Sequence, residues 1–72
     1  MPLNAAVSLA QAHAAQTEQR ISELLVSVQK LEAEGKHDAA LEVQKMIGTL
    51  EETLARIEAH VRAIRSKVEK QA

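Results

Sequence analysis

The sequence predicts an all-α fold, an antiparallel two-helix hairpin. Two observations carry that prediction: a heptad-spaced apolar stripe on each side of one glycine-centred turn, and end signals in the places where two helices would need them. The chain has 72 residues, enough for one small domain and too few for two, so residues 1–72 are read as a single helical hairpin.

In the first half, Val7, Ala10, Ala14, Thr17, Ile21, Leu24, Val28 and Leu31 recur at alternating steps of three and four, and Leu25 widens the stripe. Such steps bring side chains to one side of a helix, whereas a strand needs a period of two. The spacing predicts helix 1 over about residues 4 to 34, with Asn4 as its N-terminal cap.

The only strong punctuation inside the chain is Gly35, within Ala33-Glu34-Gly35-Lys36-His37-Asp38, which predicts a turn over about residues 35 to 37. A glycine there can take the left-handed conformation that closes a helix. Either His37 or Asp38 can begin the next helix, and Asp38 and Glu42 lie near its positive end.

In the second half, Ala40, Val43, Ile47, Leu50, Leu54, Ile57, Val61, Ile64 and Val68 repeat the heptad steps without interruption, predicting helix 2 over about residues 37 to 71. Arg62, Arg65, Lys67 and Lys70 lie toward its negative C-terminal end, and Glu52/Arg56 and Glu58/Arg62 are i,i+4 pairs in the favourable order. Gly48 is a weak point inside this helix, read as a tolerated surface glycine.

Two such helices would be roughly 46 and 52 Å long, and the short connection forces them side by side in opposite directions. Each stripe is wider than one neighbour can cover. A four-helix bundle or other helical oligomer is therefore expected, made with a second copy (dimer or tetramer) or with a helical protein partner. The expected interface is Ile21, Leu24, Leu25, Val28 and Leu31 on helix 1 and Val43, Ile47, Leu50, Leu54, Ile57, Val61 and Ile64 on helix 2. Ala6/Ala10/Ala14 and Ala55/Ala59/Ala63 form i,i+4 ridges of small side chains. The second ridge lies off the main stripe, although alanine is also simply the best helix former.

Composition removes several functional classes. There is no Phe, Trp, Tyr or Cys, hence no disulfide, no thiolate zinc site, no cysteine nucleophile and no aromatic platform for stacking bases. His13, His37 and His60 are the only candidates for acid–base or metal chemistry. If residues i and 71−i face each other, His13, Glu58 and His60 come together at the open end. Against a metal site, neither His13 nor His60 has an i,i+4 histidine partner, and both flank the stripe where polar residues are expected. His37 is read as a turn residue. The serines follow the helix pattern with no neighbouring base, and there is no glycine-rich phosphate loop. Neither catalysis, a cofactor nor a small-molecule substrate is expected.

Nine basic and ten acidic residues give a formal net charge of −1, the footprint neither of a polyanion binder nor of an acidic tail. Arg56, Arg62, Arg65 and Lys67, with Lys70 beyond them, are the candidate nucleic-acid contacts, and Glu58 and Glu69 are interleaved against them. Met1-Pro2-Leu3-Asn4 lacks a basic stretch and an apolar core, and no apolar run approaches the ~20 residues that span a membrane. The expected location is the cytoplasm.

Three resemblances follow from these residues. The segment Leu31-Glu32-Ala33-Glu34-Gly35-Lys36-His37-Asp38-Ala39-Ala40-Leu41 resembles the helix–turn–helix joint of tetratricopeptide-type repeats, without a second repeat. The overall plan resembles the Rop family of plasmid copy-control proteins, which implies a dimer of hairpins that binds RNA loops; the aromatic on that family's RNA-binding face has no equivalent here. Gly35 at the turn, Gln44 nine residues later, and Leu50-Glu51 followed by Leu54 are similar to the two-helix co-chaperones of type III secretion needle subunits. That resemblance implies a small subunit of a hetero-complex in the bacterial cytoplasm.

Overall fold

A computed structural model describes the backbone of residues 2–71 and the side chains of residues 5–70. Two helices, α1 (Pro2–Ala33) and α2 (His37–Gln71), pack against each other as an all-α hairpin, with no strand among the described residues. The predicted boundaries hold to within two residues. At the start the backbone is already helical at Pro2, so Asn4 lies inside the first turn and is not the residue preceding it; its side chain is outside the described residues. Proline is tolerated there because the first helical N–H groups have no partner to lose.

The turn is a Schellman closure. Gly35 takes φ 78°, a left-handed conformation that costs an L side chain energy. Its N–H donates to the Glu32 carbonyl at 3.0 Å, and the Lys36 N–H donates to the Leu31 carbonyl at 2.8 Å, satisfying carbonyls that the end of α1 would otherwise leave open. The Ala40 N–H donates to the Lys36 carbonyl at 3.0 Å, so Lys36 opens α2. Of the two residues that could begin α2, His37 is the first helical one, so it belongs to the helix and not to the turn.

The core is one continuous seam. Leu24, Val28, Ala40 and Ile47 form its buried centre, with Ile21, Leu31, Val43 and Leu50 packed against it. Val61 is buried further along, and Thr17 lies among these apolar positions at 5% exposure. Val68, expected on the stripe, is exposed; at its level the facing helix is only beginning. The principal extents are 56 × 15 × 12 Å and the radius of gyration is 16.5 Å, against about 11 Å for a compact domain of this length.

The surface charges add little to this framework. Arg20–Glu23 at 3.7 Å and Lys45–Glu42 at 3.5 Å are the ion pairs formed among the described residues, both exposed. The expected Glu52/Arg56 and Glu58/Arg62 pairs do not close. Holding two long side chains in one geometry costs entropy that solvated charges barely repay.

Candidate functional site

Helix periodicity places the seam residues toward the opposite helix and leaves one flank on each side. The first flank carries Gln11, Glu18, Leu25 and Glu32 from α1 with Gln44, Glu51, Glu58 and Arg65 from α2. Its two sides touch where the Gln44 side-chain N–H donates to Glu32 Oε1 at 3.4 Å. The second flank carries His13, Arg20 and Ser27 from α1 with Met46, Thr53, His60 and Lys67 from α2. The first is thus acidic and the second neutral to basic.

Each flank opens into a shallow groove above the seam. One, of about 310 Å³, lies toward the open end and is lined by Gln11, Ala14, Ile57, Glu58, Val61, Arg62 and Arg65. The other, of about 320 Å³, lies toward the turn and is lined by Arg20, Leu24, Met46, Thr49 and Leu50. Ala14 and Ile57 share the first groove and Leu24 and Ile47 share the core, so residues whose numbers sum to about 71 lie level with one another.

The grooves exist because the two helices cannot close their own seam. Of the twelve residues expected at the interface, the hairpin buries four: Leu24, Val28, Ile47 and Val61. Ile21, Leu31, Val43, Leu50, Leu54, Ile57 and Ile64 remain partly open, and Leu25 is 49% exposed on the acidic flank. Met46, 45% exposed beside the Leu24–Leu50 groove, was not among the expected residues. Its signal was available, since it sits one helical position outside the stripe. Leu9, Val26 and Leu41 are also exposed, away from the seam.

Compared with known proteins, the chain matches no family model, no curated protein and no solved structure. Its chemistry must therefore be read from its own side chains.

No group of three or more His, Cys, Asp or Glu residues among those described is arranged to hold a metal ion. The register explains why the conceivable His13–Glu58–His60 cluster does not assemble. His13 and His60 belong to the second flank and Glu58 to the first, so the seam stands between them. Arg56, Arg62, Arg65 and Lys67 are all exposed, but only Arg62 and Arg65 share a groove. The Ala55/Ala59/Ala63 ridge is exposed, whereas Ala10 and Ala14 are half-buried in the seam. No described helix is long and apolar enough to cross a membrane.

Proposed function

We propose that this protein is a non-enzymatic interaction module that acts by coiled-coil-type helix packing and completes its seam by self-association. One observation supports the reading above all. The hairpin exposes 5534 Å², whereas a folded monomer of 7.9 kDa exposes about 4,400 Å². The excess, roughly 1,100 Å², exceeds what each partner contributes to a standard protein interface, about 800 Å². The partly open seam residues Leu50, Leu54, Ile57 and Ile64, with the more exposed Leu25 and Met46 on either flank, offer apolar surface to such an interface. We assign the module to the cytoplasm, where its surface would meet other helices and not lipid.

Light scattering across a concentration series, with refractive-index detection and circular dichroism on the same samples, tests this reading. A strongly helical dimer or tetramer is the expected result. A weakly helical monomer would instead assign the seam to a different helical protein, in the manner of the secretion co-chaperones.

A second reading, nucleic-acid binding, draws on the exposure of Arg56, Arg62, Arg65 and Lys67 at one end. It requires salt-sensitive binding that is weakened by charge reversal at Arg62 and Arg65. Low salt maximises the phosphate contribution, so no shift of RNA or DNA at ~50 mM salt removes it.

A further inference from the structure

Charge is distributed unevenly along the hairpin as well as across it. The half nearer the turn, residues 18–53, holds eight acidic and four basic side chains, a formal net charge of −4. The half nearer the open end combines residues 1–17, which carry no Asp, Glu, Lys or Arg, with residues 54–72, which carry five basic and two acidic side chains, net +3. Antiparallel helices cancel each other's macrodipoles, so these side chains set the polarity of a rod 56 Å long.

We propose that neighbouring copies of this chain pack with their turns at opposite ends, through the flank that carries Arg20, Met46 and Lys67. The proposal rests on the self-association reading above and specifies its geometry. Charge decides the orientation. Turn beside turn brings −4 against −4 and +3 against +3, whereas the inverted pairing sets −4 against +3 twice. Exposed charges are screened within about 8 Å at physiological salt, so the preference acts where the surfaces touch.

The choice of flank follows from the same ledger. The opposite flank carries Glu18, Glu32, Glu51 and Glu58 with Arg62 and Arg65 at its open end, and a symmetric contact there would set the mid-length Glu18 and Glu51 against like charges in either orientation. The Met46 flank has the apolar groove over Leu24 and Leu50. Toward the open end, on and beside that flank, lie Arg56, Lys67 and Lys70 with no acid, and the matching surface near the turn carries Glu23, Glu34 and Glu42 against Arg20 and Lys30, a net −1 to meet +3.

The chain has no cysteine, so Lys36→Cys at the exposed turn accepts a single spin label, and the distance between labels in the assembled protein reads the polarity. Inverted copies overlapping along their length place the labels about 50 Å apart at 1.5 Å per residue. A principal distance below about 25 Å would put the turns together and overturn the orientation while leaving self-association intact. Absence of coupling in samples that scatter as a monomer would overturn self-association and the proposal with it. Met46→Glu should weaken association at least tenfold with helicity retained, and Glu51→Lys should leave it within about twofold. The reverse pattern would move the contact to the other flank. Dissociation should also increase at least tenfold between about 0.05 and 0.5 M salt; insensitivity to salt would remove the electrostatic basis of the pairing.

Discussion

The Thr17 hydroxyl donates to the His13 carbonyl at 2.8 Å, one turn back along α1, and so satisfies within its own helix a polar atom that the seam has taken out of water. The residue is a tolerated compromise, since an unsatisfied hydroxyl there would cost about 1–3 kcal/mol. Thr17→Val keeps the branched shape, removes the hydroxyl and leaves the His13 carbonyl its helical partner. It should stabilise the fold by about 1 kcal/mol, read as a higher urea midpoint at unchanged slope.

The two glycines should respond to alanine with opposite signs. Nothing lies within 4 Å of a Cβ built on either, so packing does not distinguish them and backbone conformation does. Gly35→Ala must hold φ 78° with a side chain and should destabilise by about 1–2 kcal/mol. Gly48→Ala replaces a flexible residue inside α2 and should stabilise by about 1 kcal/mol. Thermal melts of the two variants check both signs, and a Gly48→Ala variant that no longer associated would show that another helix approaches there.

Truncation of the buried centre should be costly. Ile47→Ala removes a side chain from the cluster with Leu24 and Val28 and should destabilise by about 2–5 kcal/mol, measured by denaturant unfolding. Leu54→Asp puts a charge on the seam level with Thr17 and should abolish helicity and association together. Retention of both would show that the seam does not hold the assembly.

The fold was legible in the sequence because its three determinants are local. Heptad spacing named the helices, Gly35 placed the turn, and a connection of three residues left no topology except an antiparallel one. Asn4 misled because a polar residue near a helix start reads as a cap even when Pro2 has already begun the helix. The twelve interface positions follow from the stripe, but how far each is covered does not. A periodic pattern says which way a side chain points and is silent on how closely the facing helix approaches. Periodicity did contain the answer for His13, His60 and Glu58, since positions 58 and 60 fall on opposite sides of one helix. Matching levels alone concealed it.

The acid–base balance of the whole chain likewise hid its internal polarity. The near-zero sum disfavours non-specific binding to polyanions, yet the open end alone is basic. Arg62→Glu with Arg65→Glu takes that end from +3 to −1, so the inverted pairing should lose its attraction and the molar mass at a fixed concentration should fall by light scattering at low salt. An unchanged mass would show that the charge of the whole end does not orient the copies.

The Schellman closure at Gly35 has a kinetic consequence. It ties the helices together beside the largest side chains of the core, whereas the far end is lined by Ala10, Ala14 and Thr17 and has no covalent tether. Residues that meet near the turn are close in sequence, and contacts of short sequence separation form fastest. The molecule should close from the turn like a zipper and open in the reverse order, so that amide exchange is slowest around Val28 and Val43 and quickens steadily toward Val7 and Ile64.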